Sequence, residues 1–468
     1  MTLNSKILRF FIWICRFNFG EFEVEEFKKF LRMGLVLAFI IGIYWTLKSL
    51  KDSLFIQLVD KMYLPYAKTI SVVALVPLVI FYTKLLEHTS REKMFVILPI
   101  FYGIGILCFG VVMLFVQASS AEIASRSLSF FITTKILGYV WYVFVESFGS
   151  IVIALFWAFL ADTTEPASAK KGFALVAIVG QMGGVVCPYS IGGLPHRLGL
   201  TTDMFSIVIL GILTLAIVPL FLYFLKVTPR ELLVSFHGQN EKEEEKKEES
   251  GFLDGLKLLL SHRYLIGVFT VIFIYEAIVI IFDFNFQLAA GTRYSGVALS
   301  HYLSVYGSSV NIVAVFCLIF GISNITRFLG ISVALAAMPI IVGIALFGFL
   351  TIDSLSFLFF LMVGAKAIHY ALNQPSLRQL YIPTTKDARF KAQAWIEIFG
   401  SRIAQQAGSL FNMSLKPLQT VFGVMVGKTY YLILSGVIGF PLLVLWFIMA
   451  LYLGKNFRKA IDENRTIC

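Results

Sequence analysis

Apolar stretches of roughly 18–25 residues follow one another along nearly the whole chain. Each is long enough to cross a hydrocarbon core as a helix. Twelve such spans are expected, over 33–57, 64–85, 94–117, 129–160, 172–194, 203–226, 264–288, 297–320, 327–351, 354–374, 392–414 and 429–453. Glycine and polar residues interrupt spans four, five and eleven and blur their ends. "GQMGG" at 180–184 and "FGSRIAQQAG" at 399–408 are the clearest cases. One long hydrophilic stretch separates spans six and seven. Its centre, "NEKEEEKKEES" at 240–250, has no apolar residue and is expected to stay solvated.

The expected organisation is an amphipathic segment (1–32), a six-helix bundle (33–226), a charged linker (227–263), a second six-helix bundle (264–453) and a tail (454–468). The bundles carry a sign of internal repetition. "DTTEPASAKK" at 162–171 follows span four, and "PTTKDARFKA" at 383–392 follows span ten. Thr163, Thr164, Ala167 and Lys170 match Thr384, Thr385, Ala388 and Lys391 at a constant offset of 221. The fold class implied is an all-α polytopic membrane protein of about twelve helices, major-facilitator-like, with a 6+6 parallel repeat. In that architecture the substrate site lies near the bilayer midplane where the repeats meet.

Composition removes the soluble alternative. Apolar residues make up 58% of the chain and charged residues 14%, with mean hydropathy +0.83. Soluble domains sit near half apolar and a quarter charged. Charge then sets an orientation. With a cytoplasmic N-terminus, the cytoplasmic segments would hold 27 of the 39 basic residues and the opposite loops 6. The positive-inside rule therefore expects both termini in the cytoplasm. The same bias accounts for most of the net charge of +11, so no nucleic-acid partner is needed. The lipid bilayer is the expected surrounding, and the chain is expected to be monomeric. The five cysteines are scattered without metal-ligand spacing and are expected to be unpaired.

The first residues mix aromatic, basic and glutamate side chains around a short apolar run. They fit a helix lying on the cytoplasmic face, not a cleaved signal or an organellar transit peptide. A bacterial inner membrane is the expected location.

Ionisable residues within the spans carry the candidate chemistry, because each costs at least about 2.5–3.5 kcal/mol near the midplane. The basic ones are Lys48, Lys51, Lys68, Lys135, Lys366 and Arg402; the acidic ones include Asp52, Glu146, Glu276, Asp283 and Glu397. Lys48 and Asp52 are four apart and can pair on one helix face, which leaves Lys51 without that partner. Glu146 lies deep in span four. One of Glu276 and Asp283 is expected to face the substrate path. Lys366 and His369 read as pathway or packing polarity. Several cations with a few carboxylates suit an anionic substrate, phosphate above all. No phosphate-binding G-x-x-x-x-G-K-[ST] loop occurs, so neither ATP hydrolysis nor a cofactor is expected, and no catalytic constellation marks an enzyme.

Several motifs match a known family. "LKDSLF" at 50–55, "YLPYAK" with "VPLVIFYTKL", "REKMF", "VESFGSIVIALFWAFLADTTEPASAKK" at 145–171 and "YIPTTKDARFKAQAWIEIFGSR" at 381–402 carry the match. On these the chain resembles the ATP/ADP translocase (nucleotide transporter) family of plastids and obligate intracellular bacteria. The resemblance implies a secondary transporter exchanging ATP for ADP by alternating access. Proton-coupled uptake of another nucleotide or of NAD, and a non-transporting scaffold on a transporter fold, stand as alternatives. By motif position it implies a substrate-binding set of Lys51, Glu146, Asp283, Lys391 and Arg402, with no metal. The second half departs from the family pattern at Phe286–Gln287, Leu377–Arg378 and Ala404–Gln406, which removes two cations.

Overall fold

The structure is a computed structural model. It describes residues 23–120, 128–164, 166–233, 252–319, 330–385, 392–463 and 465–467. Helices dominate: α1 Val24–Leu58, α2 Leu64–His88, α3 Arg91–Ser120, α4 Leu128–Asp162, α5 Pro166–Cys187, α6 Met204–Val227, α7 Arg263–Arg293, α8 Gly296–Ile319, α9 Ile331–Thr351, α10 Leu355–Ile368, α11 Ser401–Met413 and α12 Val424–Asp462. They follow the twelve expected spans in order. No strand occurs among the described residues.

Ten of these helices are long and apolar enough to cross a membrane. The two that fall short are α10, with 14 residues, and α11, with 13. Each borders a π-helical turn. His369–Asn373 continues α10 into a short helix, Gln374–Gln379. Ile396–Gly400 joins the single turn Gln393–Trp395 to α11. Polar side chains and Pro375 cluster at these points, and lone π turns inside α-helices often mark functional sites. Span five is interrupted as well, by the π turn Pro188–Gly192. Span four is not: α4 runs unbroken for 35 residues.

The chain forms two compact units. The first takes the described residues of Met1–Asp60, Val73–Lys247 and Arg293–Val315. The second takes those of Lys61–Val72, Glu248–Thr292 and Phe316–Cys468. The start of α2 thus belongs to the second unit and most of α8 to the first.

In the first unit α1 lies along α5, and the glycines of "GQMGG" show why. A Cβ on Gly183 would fall inside van der Waals contact of the Ala38 carbonyl oxygen. Small residues let membrane helices approach backbone to backbone, where packing replaces the missing hydrophobic drive. The core beside them is aromatic. Phe95 stacks on Phe221 at 4.3 Å, and Phe159 meets both rings edge-on. Lys29, 4% exposed, caps the C-terminal end of α4 by donating to the Thr163 carbonyl. It also reaches Leu232 O at 2.8 Å. A lysine at this end of a helix meets unpaired carbonyls and the negative end of the dipole.

The second unit is tied by a buried polar chain. Asn285 Nδ2 donates to Tyr431 Oη at 3.0 Å, and Tyr431 donates to Asn412 Oδ1 at 2.6 Å. This links α7, α12 and α11. His369 stacks on Tyr275 at 3.8 Å with rings 5° from parallel, and its Nδ1 lies 3.0 Å from Asn373 Nδ2. His369 is therefore a packing residue. The repeated threonine motif bonds back to the preceding turn in both copies, over four residues in the first and three in the second. Thr163 Oγ1 bonds back to Phe159 O at 2.9 Å, and Thr384 Oγ1 to Tyr381 O at 2.7 Å.

Candidate functional site

Among the described residues, each unit brings three charged side chains of its membrane helices into contact. In the first, Lys51 Nζ on α1 contacts Glu146 Oε1 on α4 at 2.5 Å. Asp52 Oδ1 lies 3.3 Å from the same ammonium, which also sits 3.9 Å from the centre of the Tyr142 ring. Phe55 closes this nest edge-on against Tyr142 at 5.4 Å. Lys51 keeps 2% of its surface. A lysine so buried is tolerated only when its charge is balanced and its donors are used. The cluster holds one cation between two carboxylates.

Asp52, expected to serve Lys48, thus also reaches Lys51, which that pairing was expected to leave without an intrahelical partner. A helix places residue i+4 on the same face, but it leaves the next residue free to swing its carboxylate sideways. Asp52 does so toward Lys51, while the ammonium of Lys48 lies over the Trp45 ring at 4.9 Å.

In the second unit the arrangement is inverted. Asp283 on α7 lies between two lysines. Lys68 Nζ contacts Oδ2 at 2.8 Å, and Lys366 Nζ contacts Oδ1 at 2.9 Å. Gln287, one turn on, donates Nε2 to Oδ2 at 3.2 Å. Here one carboxylate serves two cations. Lys68 comes from the start of α2 and Lys366 from α10. The repeat accounts for one member of each cluster: the offset of 221 that aligns the threonine motifs carries Glu146 to position 367, one residue from Lys366, but carries Lys51 to position 272, eleven residues from Asp283. The first unit thus pairs lysine on its opening helix with a carboxylate on α4, and the second pairs aspartate on α7 with lysine on α10.

The expected site residues therefore divide. Lys51 and Glu146 are in direct contact. Asp283 is the centre of the second cluster. Arg402 sits in the first turn of α11, partly buried, just after the π turn Ile396–Gly400. On the same helix Gln405 donates to Glu276 Oε2 on α7 at 3.0 Å. Lys391 lies outside the described residues. Sequence reasoning noted Lys68 and Lys366 as buried cations but gave them no role in the site. Only the fold brings them onto Asp283, from 215 and 83 residues away.

Ionisable residues inside membrane helices are costly and mark candidate sites on a path for a charged solute. Comparison with known proteins says which. The model of the TLC ATP/ADP transporter family matches residues 13–457. The chain belongs to the TLC ATP/ADP transporter family. It is 24% identical to "ADP,ATP carrier protein 1" of Rickettsia prowazekii over 94% of this chain and 96% of that protein. It is 22% identical to "ADP,ATP carrier protein 2, chloroplastic" of Arabidopsis thaliana, over 94% of this chain and 76% of that one.

Solved structures place this family member's fold among transporters. A D-xylose–proton symporter superposes with TM-score 0.57 at 14% identity, covering 92% of this chain and 96% of that one. A bacterial homologue of the iron transporter ferroportin gives TM-score 0.57 at 11% identity, over 94% and 99%. The TLC family member is therefore a multi-pass membrane protein with a major-facilitator-like fold. It is a transporter, not an enzyme.

Proposed function

We propose that this protein exchanges ATP for ADP across a bacterial inner membrane by alternating access, as a monomer with both termini in the cytoplasm. Membership of the TLC family supports the substrate, together with the named relatives, which are ADP,ATP carriers. The observation that carries the mechanism is the pair of buried charge clusters, Lys51–Glu146–Asp52 and Lys68–Asp283–Lys366. A polyphosphate is the solute that can satisfy several desolvated cations at once.

The carboxylates have a second task. An exchanger must not reorient without cargo. In the empty protein Glu146 and Asp283 hold the lysines that substrate would otherwise hold, which keeps each cluster bonded and resists rearrangement. Bound nucleotide competes for those lysines and loosens the clusters, so cargo lowers the barrier that its absence raises. Arg402 and Lys391 complete the substrate-binding set on and before α11.

The test is uptake of labelled ATP, ADP, other nucleotides and NAD by cells expressing the chain. The expected result is saturable ATP and ADP uptake that unlabelled ADP competes away and a protonophore leaves intact. Uptake abolished by the protonophore would favour a proton-coupled importer. No uptake of any nucleotide would refute the reading.

A further inference from the structure

We propose that Lys68 and Lys366 form a phosphate-binding pair whose resting counter-ion is Asp283, and that substrate phosphate displaces this carboxylate when it binds. The inference rests on the nucleotide reading above and adds two residues to its site.

Charge balance distinguishes the two clusters. Lys51 with its two carboxylates makes a set of three groups with net negative charge. Asp283 with its two ammonium groups makes a set with net positive charge. An incoming anion is therefore drawn more strongly to the second than to the first. A phosphate group carries up to two negative charges. It neutralises both lysines, where one carboxylate neutralises only half of the pair.

Geometry agrees. The two lysines do not crowd one oxygen; Lys68 meets Oδ2 and Lys366 meets Oδ1, at 2.8 and 2.9 Å. Two non-bridging oxygens of one phosphoryl group are spaced much like the two oxygens of a carboxylate. The pair is therefore set to grip a phosphoryl group from two sides with charge-assisted bonds. Access agrees too. The Lys68 side chain keeps 16% of its surface and Lys366 10%, against 2% for Lys51. The lysines of this pair are thus less enclosed than Lys51. The displaced Asp283 retains a donor in Gln287 Nε2, 3.2 Å away and on its own helix.

A purely structural ion cluster makes a different demand, and the sign of one substitution separates the two. The measurement is the affinity of the purified full-length protein in lipid nanodiscs for ADP and for inorganic pyrophosphate. Lys68→Gln and Lys366→Gln are each expected to weaken both ligands by about 10- to 100-fold, the loss of one charge-assisted bond. Asp283→Asn removes the competitor and is expected to tighten both ligands severalfold. Lys68→Arg and Lys366→Arg keep the charge and are expected to retain most of the affinity. Should either glutamine variant fail to fold, Asp283→Asn decides alone. Weaker or unchanged binding in Asp283→Asn, or unchanged binding in both glutamine variants, overturns the proposal. Pyrophosphate binding with this pattern while ADP does not bind leaves the phosphate pair standing and refutes the nucleotide reading. A wild-type protein that binds neither ligand refutes both.

Discussion

Lys51 shows how a single buried charge is made tolerable. Its ammonium has two carboxylates and an aromatic face, so its whole coordination is met by protein. Removing one member of such a cluster strands the others and costs about 3–5 kcal/mol. Lys51→Met is therefore expected to lower the melting temperature and to abolish exchange. Neutralising the whole cluster in Lys51→Met/Asp52→Asn/Glu146→Gln is expected to restore stability while exchange stays at least about 100-fold down. Melting and exchange measured side by side on both variants check this. A triple variant that transports normally would reduce the cluster to scaffolding.

A second residue gives a pH signature. Asp203, one residue before α6, is 2% exposed and accepts a 2.6 Å hydrogen bond from Ser300 Oγ. Burial pushes its carboxyl up to about 6, against the opposing effect of the hydrogen bonds from Ser300 and Gln57. In the unfolded chain the same group titrates near 3.8. A value raised on folding means that the folded state favours the protonated form. Its stabilisation is thus fully present below about pH 4 and is lost as pH rises through about 6. Asp203→Asn fixes the neutral state. Its melting temperature is expected to fall less than the wild type's between pH 4 and 7, as read by thermal unfolding across that range.

At the scale of elements, the close packing of α1 on α5 is the most fragile feature. Gly183 faces the backbone of Ala38, which cannot move aside as a flexible side chain would. Gly183→Ala is expected to cost about 1–3 kcal/mol or more through overpacking. Melting temperature and folded yield report it, and a neutral result would show that α1 and α5 pack less tightly than described.

The same scale explains what could be read without the structure. Twelve helices in order were legible, ten of them long and apolar enough to cross a membrane, because hydropathy records burial in lipid directly. The threonine repeat was legible because its two copies agree at four positions of ten at one constant offset, and in both the first threonine bonds back to the preceding turn. Glu146 stood out as a charge deep in span four, and Lys51 as the lysine left over from a Lys48–Asp52 pair. Their contact did not, and neither did the Lys68–Asp283–Lys366 cluster. A span that is apolar on all sides gives no stripe from which to tell which face meets protein. The partner of a buried charge is then fixed by packing between distant helices, here over as many as 215 residues. The π turns beside α10 and α11 were likewise visible only as polar interruptions, without their geometry.

For the whole molecule, the two units solve one electrostatic problem in opposite senses. The first surrounds a cation with anions, and the second surrounds an anion with cations. A duplicated bundle could have kept identical charges. Under the phosphate-pair proposal the second cluster draws phosphate more strongly than the first, so each unit would contribute differently to a transport cycle. Coupling of cargo to conformational change needs such a difference, because a ligand shifts an equilibrium only by its differential interaction with the states.

The central claim is obligatory exchange. It is tested most directly by reconstituting the protein in liposomes and following labelled ATP into vesicles loaded with ADP, beside vesicles loaded with buffer alone. Rapid uptake into ADP-loaded vesicles, matched by ADP efflux in equal amount and at least about 100-fold slower into empty ones, is the expected result. Equal uptake into loaded and empty vesicles would contradict it.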